Sequence, residues 1–192
     1  MRNKLLLVVL ALVVVALAAC SLPGVTAIDK SGPQKKDAAA VCPEAAAGAE
    51  LLRVEEHGYC LLYPSGYSVE RPNPEETALV VGSLLDVSHP RAYIKVGDAD
   101  GRTTDQAADA IVADFPGFEI ARSSATIGGE SAIVLDGVPG QDISRQVVIV
   151  RDGRLYHLTF VPASEDAGEV YTQMEELYQM LVDSLNFLEK EM

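Results

Sequence analysis

Two runs of strongly β-forming residues, Arg145 to Arg151 and Arg154 to Val161, are separated by only Asp152-Gly153. A two-residue Asp-Gly link requires backbone in the left-handed region at both positions, and this turn matches the twist of antiparallel strands. The chain therefore contains a tight hairpin near its C-terminus, and its sheet must be antiparallel at least there. A helix-only fold and an all-parallel sheet are both excluded by this one feature.

The rest of the chain extends that start. Leu51 to Glu55, a turn at Glu56-His57-Gly58 and Tyr59 to Tyr63 read as a first hairpin. Tyr67 to Arg71 reads as a third strand that Pro72 and Pro74 end. Thr77 to Leu85 is apolar and β-branched, and Arg91 to Asp98 alternates Ala92, Ile94 and Val96 against Tyr93 and Lys95, so each has one buried face. Thr103 and Gln106 have capping-box spacing ahead of Ala107, Ala108, Ile111, Val112 and Phe115, which share one helical face until Pro116-Gly117. Phe118 to Thr126 and Ser131 to Asp136 are further strands. Asp166 and Glu169 have the same capping spacing, opening a helix to about Leu188 whose stripe is Val170, Met174, Leu177, Leu181, Leu185 and Leu188. Strands, helix, strands, helix is not the alternation of a doubly wound fold. It specifies an α+β domain, an antiparallel sheet sandwiched by helices with a long C-terminal helix.

The N-terminus has a separate character. Arg2 and Lys4 precede fifteen uncharged residues, Leu5 to Ala19, and Leu17-Ala18-Ala19-Cys20 closes the run before Pro23 and Gly24. A spanning helix needs about 20 apolar residues, so this run is short for one and has the layout of an export signal. The Leu-Ala-Ala-Cys order resembles the lipobox of bacterial lipoproteins. That resemblance implies a signal peptide over residues 1–19, diacylation of Cys20 with palmitate-type chains, and the cell envelope, on the extracytoplasmic side of a bacterial membrane, as the location. Ser21, where a retention signal would carry Asp, implies release from inner-membrane retention in a two-membrane organism. Two or three acyl chains at about 0.8 kcal/mol per buried methylene make such an anchor permanent.

Residues 20–41 then form the lipidated cysteine and a flexible tether of mixed Pro, Gly, Ser, Lys and Ala. Such a chain has a mean span of about 25 Å and a reach of about 70 Å. Residues 42–189 are the globular domain. Loss of Arg2 and Lys4 with the signal lowers the count of Lys and Arg from 15 to 13 against 28 Asp and Glu, a net charge of -15. A surface this acidic argues against nucleic acid as a partner and against lying flat on anionic lipid.

With Cys20 lipidated, Cys42 and Cys60 remain as a pair in an oxidising compartment, where a disulfide is the default. Closing that loop is worth about 3 kcal/mol in the chain-entropy model. The alternative, a metal pair, needs further ligands, and only His57 is near in sequence.

Tyr59-Cys60-Leu61-Leu62-Tyr63-Pro64-Ser65-Gly66-Tyr67 resembles the strand, Pro-Ser turn and aromatic that open domains of the PsbP-like superfamily, which includes Ran-binding Mog-type proteins and bacterial envelope lipoproteins. Gly153 to Phe160, followed by a helix closing on Ser184-Leu185-Asn186-Phe187, is similar to that family's finish. The likeness covers residues 50 to 188. It departs at Tyr67, where the family often has Trp; the chain has none. It implies a helix-flanked antiparallel sheet and a role in binding or assembly, not catalysis.

Candidate chemistry is sparse. Asp98, Asp100 and Asp105 around Gly101 are weak calcium candidates, since an EF-hand frame would place Val96 and Ala107 where carboxylates are required. Their other reading is a solvated turn with acids at a helix start. Ser65 lacks a nucleophile-elbow motif. His57, His89 and His157 fall in a turn, a loop and a strand, and the adjacent acids Glu55-Glu56 and Glu75-Glu76 point to opposite faces of a strand. Gly128-Gly129 and Gly137 to Gly140 are turns, and the loop from Gly137 to Ser144 is a candidate rim for a ligand groove. The expectation is a membrane-anchored, non-enzymatic binding or assembly protein of unidentified partner. The alternatives are a calcium or small-ligand binder and a hydrolase whose residues converge only on folding. No cofactor is expected.

Overall fold

The Asp152-Gly153 link forms as expected: φ is 50° at Asp152 and 76° at Gly153, and Arg151 pairs with Arg154 across it. The computed structural model containing this hairpin describes residues 41–189. Its strands are β1 (Ala49–Val54), β2 (Tyr59–Pro64), β3 (Ser68–Asn73), β4 (Glu76–Val80) and β5 (Arg91–Asp98), followed by helix α1 (Thr104–Ala113). Then come β6 (Ala121–Ile127), β7 (Glu130–Val138), β8 (Ser144–Arg151), β9 (Arg154–Val161), helix α2 (Glu169–Ser184) and the short β10 (Asn186–Phe187). The fold is α+β with antiparallel sheets.

Seven strands form the main sheet in the order β3-β4-β5-β9-β8-β7-β6. Every neighbouring pair in it is antiparallel. The first hairpin does not join this sheet, contrary to the expectation of one continuous layer. It forms a second sheet, β1-β2-β10.

Alternation sorts the side chains between two cores. Ile94, Val147, Ile149, Tyr156, Leu158 and Phe160 point to the side where Leu61 and Tyr63 of β2 and Met174, Leu177 and Leu181 of α2 meet them. Ile133, Leu135 and Val148 point the other way, onto Ala107 and Ala108 of α1. These are alternate positions on the same strands, so the two clusters lie on opposite faces. Thr103 caps α1 as its sequence predicts, accepting from the Gln106 amide while the Gln106 side chain reaches the Thr103 amide.

The second helix differs from its expectation. Asp166 lies in a single 3-10 turn, Glu165–Ala167, and the N-cap of α2 is Gly168, with φ of 61° and no side-chain cap. The helix also stops at Ser184, because Leu185 turns extended and Asn186–Phe187 pairs with Cys60 and Tyr59 of β2. Ser184 Oγ fixes that exit by accepting from the Leu62 amide at 2.8 Å. Sixteen residues give a helix of about 24 Å, and Leu188 leaves the helical stripe to donate from its amide to the Gly58 carbonyl.

Three strand boundaries also shift. β4 ends at Val80, and Gly82 and a turn at Ser83–Asp86 occupy the rest of the expected run. β6 starts at Ala121, leaving Phe118 exposed ahead of it. Pro72 lies inside β3, where its missing N–H is tolerated on an edge strand.

Cys42 and Cys60 form a disulfide with Cα atoms 5.7 Å apart. The bond staples the start of the domain to β2. Gly128 shows why its turn needs glycine: a Cβ there would meet the Phe187 ring at 2.8 Å and the Leu185 carbonyl at 3.0 Å. The turn between β6 and β7 thus packs against β10.

Candidate functional site: the uncovered half-face of the main sheet

Helix α1 packs on β7 and β8 and stops there. With ten residues it is about 15 Å long, too small to cover seven strands spaced about 4.8 Å apart. The same face of β4, β5 and β9 is left without a covering element among the described residues. Besides the buried Ala78 of β4 and the half-buried Leu155 of β9, it carries polar side chains: Glu76 from β4, Tyr93 and Lys95 from β5, His157 and Thr159 from β9, and Gln146 from the neighbouring β8.

Strand register sets them in rows. Glu76 pairs with Lys95, and Lys95 with His157; Tyr93 pairs with Thr159, and Thr159 with Gln146. Directly opposed residues on one face have Cβ atoms about 5 Å apart, so acid, cation and imidazole form one continuous row. Two hollows, of about 330 Å³ and about 320 Å³, open over it. Both are lined by Lys95 and His157; the first extends to Glu75, Asp98 and Asp100, the second to Glu76, Tyr93 and Thr159.

His157 is held in place by its neighbours. Its Nε2 lies 2.8 Å from Gln146 Oε1. The Gln146 amide group donates to Ser144 Oγ at 3.1 Å, and Ser144 Oγ donates to the Val138 carbonyl at 3.2 Å. The series ends on a carbonyl that can only accept, so each donor is directed the same way and Nε2 carries the imidazole proton. Nδ1 is left as an acceptor. Burial, and then the Lys95 ammonium, push the His157 pKa down to about 4. The ring is neutral at physiological pH, a fixed hydrogen-bond acceptor beside a cation.

The other candidates from the sequence are distributed as follows. Asp98 and Asp100 reach the rim of the first hollow, where Asp98 Oδ1 accepts the Asp100 amide at 2.6 Å and Asp100 pairs with Arg102 at 2.8 Å. Asp105 pairs with Arg122 of β6 at 2.6 Å, so the three carboxylates do not point at one centre. Among the described residues, no three His, Cys, Asp or Glu side chains are arranged to hold a metal ion. His57 Nε2 lies 2.7 Å from the Pro74 carbonyl, fastening the first hairpin to the β3–β4 turn. His89 lies 3.5 Å from Asp86. Ser65 is a turn residue whose amide donates to the Gly48 carbonyl.

Asp142, in the loop from Gly137 to Ser144, accepts from the buried Arg91 at 2.9 Å, and Arg91 also donates to the Asp86 carbonyl. That loop closes one end of the sheet and lines neither hollow. Cys20 and the tether lie outside the described residues. No helix among the described residues is long and apolar enough to cross a membrane.

No family model and no curated protein matches the chain. Solved structures give distant likenesses. The solution structure of cyanobacterial PsbP (CyanoP) from Synechocystis superposes with a TM-score of 0.49 at 15% identity, covering 74% of this chain and 94% of that one. A crystal structure from Bacteroides thetaiotaomicron gives 0.42 at 10% identity over 74% of this chain and 50% of that one. Protein PA94 of Pseudomonas aeruginosa, of unknown function, gives 0.34 at 22% identity over 70% and 96%.

Sequence reasoning singled out His157 but missed Lys95, Gln146, Glu76, Tyr93 and Thr159 as its companions. The signal was present in part: Tyr93 and Lys95 alternate against an apolar set, and Leu155, His157 and Thr159 do the same on β9. Which polar face remains open depends on where α1 docks, and that is a long-range contact.

Proposed function

We propose that the protein is an envelope lipoprotein, held at a membrane through acyl chains on Cys20, whose PsbP-like domain binds a partner or small ligand on the uncovered half-face of its main sheet. The observation that carries this reading is the row Glu76–Lys95–His157 beneath two adjoining hollows, on a sheet whose opposite side packs against α2 and the small sheet. A sheet face left open only for solvent needs no buried relay behind one of its side chains. Here three hydrogen bonds orient His157, and pre-organised polar groups of this kind give a site its specificity. The role is binding or assembly. The row holds an acid, a cation and a neutral imidazole but no hydroxyl or thiol nucleophile, and the serine of the relay, Ser144, is buried with its hydroxyl committed to a carbonyl.

Two measurements test the two halves separately. Mass spectrometry of the membrane-extracted protein should find Cys20 as the first residue, carrying thioether-linked acyl chains, and Cys20→Ser should release the protein from the membrane fraction. An unprocessed N-terminus would sink the anchor. For the face, Lys95→Glu should abolish recovery of the crosslinked partner from intact cells while leaving the melting temperature within about 2 °C. Unchanged recovery would mean that the partner binds elsewhere.

A further inference from the structure

The two outer strands of the main sheet are finished differently. β3 is a blunted edge: its register with β4 shifts between Glu70 and Asn73, Pro72 removes a donor, and Glu70 and Arg71 put charges on it. Bulges, prolines and charges are the usual means by which an edge is protected from pairing with another chain. β6 has neither bulge nor proline. All seven residues, Ala-Arg-Ser-Ser-Ala-Thr-Ile, pair with β7 without a shift. Its one charge, Arg122, is folded back onto Asp105 and Asp109 of α1.

The turn at its end defines which groups are free. Gly128 and Gly129 both have positive φ, 60° and 81°, and Ile127 pairs with Glu130 across them. In such a two-residue turn the closing pair exchanges both hydrogen bonds, and hydrogen-bonded pairs then alternate along the strand. Ile127, Ala125 and Ser123 therefore bond inward to β7. Arg122, Ser124 and Thr126 aim their amides and carbonyls outward, and no other backbone group among the described residues meets them.

We propose that β6 is a docking edge that receives an extended, basic strand from a partner protein, adding an eighth strand to the sheet. Backbone pairing of this kind supplies affinity, and the alternating side chains supply selectivity. On the α1 side the incoming strand lies beside Asp105 and Asp109, two carboxylates that share the single guanidinium of Arg122, so that side selects Lys or Arg. On the other side it lies beside Ser123 and Ala125, and Ala125 packs on the main core. Small or β-branched apolar residues fit there. A second copy of the chain is the poorer occupant, because pairing two β6 edges would bring the same acids face to face on molecules of net charge -13.

The probe is the blocked heptapeptide Thr-Lys-Val-Lys-Val-Lys-Thr, titrated against the full chain in a neutral detergent and followed by residue-resolved amide exchange. At saturation, exchange at Arg122, Ser124 and Thr126 should slow at least tenfold, with β3 unchanged. The same peptide with Glu for Lys should bind at least tenfold more weakly. Ser124→Pro, which removes an outward amide and no ladder bond, should abolish the protection. Should that variant fail to fold, Asp105→Asn with Asp109→Asn should still weaken binding severalfold. Protection elsewhere, or equal binding of the Glu peptide, overturns the proposal. So does an edge already protected without peptide; sedimentation velocity then shows whether a second copy or the chain's own residues fill it.

Discussion

The two faces of the seven-stranded sheet are built from the same strands and differ in what covers them. On one, Leu158, Phe160, Ile149 and Val147 meet α2 and a second small sheet, and the cluster includes Tyr59, Leu61, Leu177, Leu181 and Phe187, all at most 1% exposed. On the other, the alternate residues of β5 and β9 are Tyr93, Lys95, His157 and Thr159, and α1 stops short of them. The larger core lies on the first face and a smaller one under α1 on the second, and the proposed recognition falls on the part of the second face that α1 leaves open. Polar residues there can change without unfolding the domain, because little apolar area leaves water at them.

The largest effects should fall on the packed face. Phe187 contacts Tyr156 edge-on at 4.8 Å, and the Arg151 guanidinium lies 5.0 Å from the centre of its ring. Phe187→Ala should lose about 4 kcal/mol in urea unfolding, in the range for large-to-small core substitutions. A loss below about 1 kcal/mol would mean that β10 and the small sheet do not belong to the cooperative unit. Replacing Cys42 and Cys60 together by Ser should lose about 3 kcal/mol by freeing the unfolded chain, read from the same unfolding midpoint. Native protein should resist thiol labelling until it is reduced.

The open face should contribute mainly through pH. His157 titrates at about 4 in the folded state against an ordinary 6.5, so between those values the unfolded chain holds a proton that the folded chain excludes. Stability is then complete above about pH 6.5 and falls as pH drops toward 4. The loss between pH 7 and pH 4.5 should be up to about 2 kcal/mol. His157→Gln should flatten that slope; an unchanged slope would place the sensitivity elsewhere. The smallest effect belongs to Lys95, an exposed residue with no ion-pair partner among the described residues. Lys95→Ala should shift stability by less than about 0.5 kcal/mol, and a larger loss would mean that this face is structural after all.

Local chemistry made much of this fold readable. Asp152-Gly153, the Thr103–Gln106 box and the stripe of Met174, Leu177 and Leu181 each carry their own geometry. What was not readable depends on distant partners. Nothing near Leu51 to Tyr63 says that this hairpin pairs with Asn186–Phe187 and not with the main sheet. Leu185 and Leu188 continue a helical stripe that Ser184 ends by bonding to the Leu62 amide, 122 residues away. The Asp98–Asp100 cluster was visible as spacing, but the ion pairs that turn Asp105 toward Arg122 were not. His157 was placed on the correct strand, whereas its neighbours became a site only once register brought four strands together.

The most direct test of the division between the faces is photo-crosslinking in intact cells. Benzoyl-phenylalanine at position 93 replaces a half-buried aromatic on the open face, and the same group at position 179 replaces an exposed glutamine on the outer side of α2. A discrete adduct is expected from position 93 and none from position 179. Adducts of equal yield, or from position 179 alone, would contradict that division.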